Sequence, residues 1–377
     1  MKITFKGSIY ILTIKISFIK GGKKMSLYHG LAAFNLEMTD RVPRTEYSSA
    51  QRHWKLVKAV TGIDVDENSP KDLQQKASNA FVKAWNYDLT WAIRPLDKEL
   101  GKYKTNMGHA AYAAGGTDYD NKIYCPFNEP EEVLEFDPWE ALGPKDKNAA
   151  REKFEKQYRK HCEFYPDALN TSGIYITCVS GLIDIFGWEM LLLASGMDPE
   201  GFGEMTNRYV SWVKQFFEAL AETTMPVVVV HDDIVWTSGA IFHPDWYRKY
   251  VFPNYKKLFE PLKEANKKIL YTSDGNYTEF IDDIADCGVH GFCMEPCTDM
   301  KYIAEKYGKT HVFVGNADTR VLLTGTKEDI YNEVKRCMDI GKNCPGFFMA
   351  VGNHIPSNTP VENALYYNEV YEKLSKR

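Results

Sequence analysis

The chain has 377 residues, 44% hydrophobic and 26% charged, which supplies one large core and excludes a disordered polymer. A formal net charge of −5, with lysines spread among acids along helical stretches, excludes the basic footprint of a nucleic-acid binder. The eight cysteines show neither a CxxC pair nor the rhythm of a disulfide scaffold, so buried free thiols in a reducing compartment are expected.

Residues 1–19 are basic and apolar enough to imitate a signal peptide, but Lys15 interrupts the run and no small-residue cleavage site follows. Lys20-Gly-Gly-Lys-Lys-Met25 reads as a translated ribosome-binding stretch, which places the expected start at Met25. Residues 1–24 are then a mis-assigned upstream segment and 25–377 a single domain. No later apolar stretch approaches the ~20 residues a membrane span requires, so a cytoplasmic protein is expected.

Apolar runs followed by amphipathic segments predict strands at 42–48, 89–93, 174–179, 226–230, 268–272, 289–294, 311–314 and 346–351. Eight short strands alternating with helices predict an α/β fold, a parallel (β/α)8 TIM barrel, since parallel connections need crossovers that cover the outside with helices. An open doubly wound sheet is the competitor, and it lacks a GxGxxG after the first strand. Asp198-Pro199 opens a helix whose Phe202, Met205, Tyr209, Trp212, Val213, Phe216 and Leu220 form a core-facing stripe. Capping boxes are predicted at Thr326-Lys-Glu-Asp329 and at Thr359-Pro-Val-Glu362. Spacing breaks once, between strands 2 and 3, where an extended insertion over 96–172 carries the Gly- and Tyr-rich run from Met107 to Asp120. Long insertions of this kind are lids or binding loops, and a cover over the barrel mouth is expected.

Active sites of such barrels lie at the C-terminal strand ends. The residues falling there form a polar ring: Glu46 and Tyr47, Arg94, Ser180, His231-Asp232-Asp233, Ser273-Asp274, Glu295, Asn316 with Asp318, and Asn353-His354. The sharpest element is Val227-Val-Val-Val-His-Asp-Asp, a buried strand ending in three ionisable groups. These suit metal binding, substrate orientation or proton exchange, or more plainly a helix cap or an ion pair. In Leu270-Tyr-Thr-Ser-Asp-Gly-Asn, Gly275 permits a sharp turn, and a helix cap explains one of Asp274 and Asn276 but not both. Ala350-Val-Gly-Asn-His-Ile-Pro presents Asn353 and His354 in the same way. His231, Asp233, Asp274, Glu295 and His354 converge as possible metal ligands, with Asp233, Glu295 and His354 the named candidates, but they form no recognisable ligand motif. Cys293 and Cys297 are the thiols nearest the mouth.

These stretches carry a resemblance. Asp40-Arg-Val-Pro, Asp232-Asp-Ile with Ser238-Gly and His243-Pro, Ser273-Asp-Gly-Asn, Gly315-Asn-Ala-Asp, Leu323-Thr-Gly-Thr and Thr359-Pro-Val-Glu-Asn, in this order, resemble the uroporphyrinogen decarboxylase superfamily from about Asp40 onward. The resemblance implies a (β/α)8 barrel that either decarboxylates tetrapyrrole acetate side chains or exchanges methyl groups with a corrinoid protein. The decarboxylases carry an arginine-rich segment after the first strand; here it reads Arg44-Thr-Glu-Tyr-Ser-Ser-Ala-Gln-Arg-His, with Glu46 where cations are wanted. The zinc methyltransferases place His-x-Cys after the fifth strand and Cys after the eighth; here stand Tyr271-Thr-Ser273 and Asn353. The chain instead resembles the Ser-Asp-Gly-Asn branch, often found in anaerobes beside corrinoid proteins and thought to include demethylases.

The resemblance therefore implies a methyltransferase or demethylase acting on a small methylated substrate, with a corrinoid on a partner protein as acceptor. Zinc would lack its usual ligands, and the oligomer, a homodimer among the options, stays open. Asp233, Asp274 and Glu295 are the expected catalytic residues. Glu46, Tyr47, His231, Asp232, Tyr271, Ser273, Asn316, Asn353 and His354 are the expected substrate contacts. Porphyrinogen decarboxylation and a non-catalytic binding barrel are the alternatives.

Overall fold

The computed structural model describes residues 25–47, 53–94, 97–106, 124–175 and 177–377, with the side chains of Arg94 and Asp97 outside that description. The expected upstream segment, Ser48, and the whole Met107 to Asp120 run therefore lie outside the described residues.

Eight extended segments run in parallel around a barrel. In chain order they are residues 42–45; β1 (Leu89–Thr90) continued by β2 (Ile93–Arg94); β3 (Leu169–Asn170) continued by β4 (Ser172–Ile174); and β5 (Val227–His231). After a small antiparallel hairpin of β6 (Val235–Trp236) and β7 (Gly239–Ala240) come β8 (Lys268–Thr272), β9 (Gly291–Cys293), β10 (Val312–Val314) and β11 (Phe347–Phe348). β1 pairs with β3, and the remaining sheet runs β2-β4-β5-β8-β9-β10-β11. Residues 42–45 close the ring. Thr45 N donates to Met349 O at 3.1 Å, Met349 N to Pro43 O at 2.8 Å, and Asp88 N to Arg44 O at 2.9 Å.

β5 shows why this sequence makes a barrel strand. Val227 to Val230 are β-branched and buried on both faces, as a parallel strand covered by helices requires. Side chains alternate: Val227 and Val229 join Leu89, Leu169, Leu270, Val312, Val314 and Phe348 in the barrel interior, while Val228 and Val230 pack outward with Ile269, Phe292 and Phe313. Ala33 and Phe34 of the helix Met25–Phe34 join the interior cluster, Phe34 lying 5.8 Å from Phe348. Gly173 lets β4 approach β5, since a Cβ there would stand 1.9 Å from the Val229 carbonyl oxygen.

The barrel expectation holds, and several details change. The strand placed at 174–179 ends at Ile174; Val179 already begins the helix Val179–Met197. Ser172 and Gly173, which precede the expected strand, form β4 with Ile174 because their backbone is paired to β5. That helix, bent at Gly187 (φ 67), has the length and mean hydropathy of a membrane span, which corrects the expectation that no such stretch exists. Most of it is buried in the protein. Thr326 and Asp329 form the predicted capping box, and Asp198 caps Pro199–Ala221 through Gly201 N. The second box does not form: Pro360 takes the N-cap position of Val361–Leu374, and the buried Thr359 hydroxyl finds no partner. All seven stripe residues from Phe202 to Leu220 are buried.

Glu46, expected in the mouth, is instead part of the barrel seam. Its carboxylate accepts from Val351 N at 3.0 Å, Tyr367 Oη at 2.8 Å and Arg44 Nη2 at 3.2 Å. Arg44 is fully buried between the rings of Trp85 and Tyr371, 4.7 and 4.4 Å away. Neither charge is free to meet a ligand. Glu46→Ala leaves the Arg44 guanidinium buried without its counter-charge, so urea denaturation should show a loss of about 3–5 kcal/mol. A loss below about 1 kcal/mol would mean that the pair does not hold the seam.

Candidate active site

The mouth is organised by strand alternation at the end of β5. Residues two apart share a side of the strand, so His231 and Asp233 turn one way and Asp232 the other. Asp232 is fully buried and works as the cap of the helix Val179–Met197. Its carboxylate accepts from Cys178 N and Val179 N at 3.1 Å each, from Ser180 N at 2.6 Å and from Tyr255 Oη at 2.6 Å. The expected substrate contact at Asp232 is therefore committed to architecture. Ser180 locks the same corner by accepting from Asp233 N at 2.7 Å.

Asp233 faces the mouth with its carboxylate well supplied with donors. Oδ1 lies 2.9 Å from His231 Nε2 and accepts from Asp274 N at 2.8 Å; Oδ2 accepts from Tyr175 Oη at 3.1 Å. Burial works to raise its pKa, and the His231 charge and these hydrogen bonds overcome it, holding the group at about 2. Burial likewise disfavours the His231 imidazolium, but the neighbouring Asp233 outweighs it and raises the histidine above its ordinary value. His231 Nδ1 is buried with no hydrogen-bond partner.

Asp274 is the counterpart. The turn after β8 needs Gly275 at φ 83, and Asn276 Oδ1 takes the capping bond from Thr278 N at 3.1 Å, which leaves Asp274 free for the mouth. Burial, then the Asp233 charge and, more weakly, Glu295 push its carboxyl up to about 7, against the pull of His231 and a hydrogen bond from Asn353. Glu295 closes the ring by accepting from Gly275 N at 2.9 Å and Asn353 Nδ2 at 3.0 Å, and Asn353 Oδ1 lies 2.6 Å from His354 Nδ1.

The other expected residues divide. Tyr47 stays at the mouth against Trp91, ring centroids 5.3 Å apart. Tyr271 is buried outside it, donating to Asp232 O at 3.1 Å, and Ser273 Oγ donates to its neighbour's carbonyl at 2.9 Å. Asn316 is buried and tied to Glu295 O, Thr298 O and Arg336. Asp318 caps its own helix through Arg320 N at 2.9 Å. The Arg94 side chain lies outside the described residues. Tyr175, unassigned from the sequence, belongs to the site: its ring stands edge-on to His231 at 4.2 Å. Drawing β4 to Val179 hid it; ending the strand at Ile174 makes Tyr175 the next residue and the signal plain.

For a metal ion, donor atoms of His231, Asp233 and Asp274 lie within 4.8 Å of one another, the only such group among the described residues. The expected Glu295 and His354 are not in it, being turned to Asn353. Within the trio, His231 Nε2 already meets Asp233 Oδ1 at 2.9 Å, while the Asp274 carboxyl is bonded by Asn353. The positions of the family's zinc ligands do not fit: Tyr271, Ser273 and Asn353 bear no thiol and are hydrogen-bonded elsewhere. Burial pushes the Cys293 thiol up to about 12, and Cys297 is also raised by burial and Glu295.

With this geometry in view, the known relatives can be compared. The family model for uroporphyrinogen decarboxylase (URO-D) matches residues 185–374, half of the chain. The chain belongs to this family. The matched region contains His231, Asp233, Asp274, Glu295 and Asn353 and begins after Tyr175. A uroporphyrinogen decarboxylase of Carboxydothermus hydrogenoformans is 28% identical over 177 residues, covering 47% of this chain and 49% of that protein. The methylcobamide:CoM methyltransferase MtbA of Methanosarcina acetivorans is 25% identical over 213 residues, covering 51% and 60%. The matched stretch thus spans about half the length of the curated decarboxylases. A solved methyltransferase from Methanosarcina mazei superposes with TM-score 0.63 at 18% identity over 92% of this chain and 98% of its own, which shows a shared fold.

A raised carboxyl costs stability at high pH. Below about pH 4 Asp274 is protonated folded or unfolded and contributes nothing; from about 4 to 7 only the unfolded chain releases the proton, so stability falls as pH rises. Asp274→Asn should therefore stabilise the protein by a few kcal/mol at about pH 8 and change little near pH 4, read by thermal unfolding. Equal effects at both pH values would refute the raised pKa.

Proposed function

We propose that this URO-D family member is a methyltransferase or demethylase that moves a methyl group from a small methylated substrate to a corrinoid carried by a partner protein, with Asp274 as the acid. The observation that carries the reading is the placement of Asp274 and Asp233 within 4.8 Å at the mouth, where burial and the Asp233 charge push the Asp274 carboxyl up to about 7. Removing a methyl group from an ether or amine leaves a poor leaving group, and a general acid with a pKa near the working pH is the side chain that helps most. The corrinoid, when bound, supplies the nucleophile that takes the methyl carbon. As the carbon–heteroatom bond breaks, its electron pair goes to the heteroatom, Asp274 Oδ–H gives that atom its proton, and solvent reprotonates Asp274.

Among the three expected catalytic carboxylates this assigns different work. Asp233, ionised, orients the substrate and maintains the proton on its neighbour; Glu295, held by Gly275 N and Asn353, fixes the turn carrying Asp274. The rim fits an approaching partner: Trp188 packs 5.7 Å from Trp236, which is 45% exposed three residues beyond Asp233. Relatives named as methyltransferases add support.

Porphyrinogen decarboxylation is less well served. A substrate with many carboxylates needs cations at the mouth, and among the described residues Arg44 lies sealed under aromatic rings while Arg41 forms a bidentate pair with Asp88. The test is incubation with reduced corrinoid protein and a panel of methyl ethers and methylamines, followed by the visible spectrum. Methylation is expected, with a rate that declines above about pH 7 and falls ~10²–10³-fold in Asp274→Asn. Carbon dioxide released from uroporphyrinogen, with no corrinoid methylation, would overturn the reading.

A further inference from the structure

The structure points to a residue outside the matched family region as the one that decides which carboxyl bears the proton. We propose that Tyr175 is a positioning residue that holds Asp233 as the carboxylate, so that the proton shared by the pair resides on Asp274; this rests on reading Asp274 as the acid.

The case is geometric. Asp233 and Asp274 are placed so closely that their donor atoms fall within 4.8 Å, together with His231. Two carboxyl groups at such range cannot both ionise readily in a buried site, and the proton goes to the one with fewer donors. Asp233 receives three: His231 Nε2 at 2.9 Å and Asp274 N at 2.8 Å on Oδ1, and Tyr175 Oη at 3.1 Å on Oδ2. Asp274 receives one from Asn353.

The groups facing the pair are His231 and Asp232 at the β5 exit, Tyr271 on β8, Tyr175 after β4, Asn353 after β11, Cys293, Glu295 and Cys297 at and after β9, and Tyr47, which acts on Tyr175. Within this set, the bonds from His231 and from Asp274 N are built into the β5 and β8 corners that carry the carboxylates themselves. Tyr175 alone supplies Oδ2 from another strand, and it does so by a phenol whose removal leaves the ring in place. That ring is 5% exposed and packs edge-on against His231 at 4.2 Å and 76°, which fixes where the hydroxyl points. Burial and the two aspartates raise the phenol's own pKa, so it remains a donor across the working pH range.

The experiment is a carboxyl carbon NMR titration of the full chain labelled at aspartate, with Asp233→Asn and Asp274→Asn assigning the signals. In the native protein the upper step, near pH 7, is expected on Asp274. In Tyr175→Phe the Asp233 step should move up by about one pH unit, and the difference in proton occupancy between the two residues should shrink. Replacing Tyr175 by 3-fluorotyrosine, a stronger donor of nearly the same shape, should move the Asp233 step down. This keeps the test open even if the phenylalanine variant does not fold.

Opposite shifts from the two replacements support the assignment, and so does a single shift of the expected sign when only the fluorinated protein folds. If neither replacement moves either aspartate step, the proposal is overturned. The titration needs no substrate. Failure of methyl transfer with the predicted titration intact would count against the function alone, and success of methyl transfer with an unmoved titration against Tyr175 alone.

Discussion

Two carboxyl groups within reach of one imidazole, half-buried at the strand exits, compete for one proton. Solvent relieves their mutual repulsion only in part, so the site settles into an unequal arrangement in which one group is anionic and the other acidic. Asp233 and Asp274 are driven apart in this way, one to about 2 and the other to about 7. The chemistry open to the barrel follows from that inequality, because the same two residues with equal donor sets would offer neither a dependable anion nor an acid near neutrality.

The fold imposes the inequality through backbone rules. The two-residue period of β5 separates Asp232 from its neighbours, sending it to cap a helix while His231 and Asp233 meet. The left-handed turn at Gly275 brings Asp274 N onto Asp233, and the same residue's N–H binds Glu295. The Arg44–Glu46 seam keeps the ring closed at a distance from the mouth. Stability and chemistry thus draw on neighbouring ionisable residues that the strand period sorts to opposite purposes.

Much of this was legible beforehand. The valine run, the Ser-Asp-Gly-Asn turn and the Asp198 cap located the barrel, the β5 exit and the first turn of a helix from local rules alone. Asp274 could be separated from Asn276 because a cap needs only one of them. Glu46, Asp232 and Tyr271 were misplaced for one common reason: a position at a strand end does not say which side of the wall the side chain takes. Tyr175 was missed because the strand before it opens on Ser172 and Gly173, whose pairing to β5 is a tertiary fact. The second capping box failed similarly, since Pro360 sits one position earlier than the motif requires.

Within the URO-D family, this chain sets two carboxyl groups, Asp233 and Asp274, within 4.8 Å of each other at the barrel mouth. Infrared difference spectroscopy between native protein and Asp274→Asn reads that pair most directly. A protonated carboxyl C=O band present in the native protein near neutral pH, absent from Asp274→Asn and weakened in Asp233→Asn, where the charge that maintains the proton is gone, is the predicted result. A native spectrum at that pH showing only ionised carboxylates, or a protonated band that survives in Asp274→Asn, would contradict it.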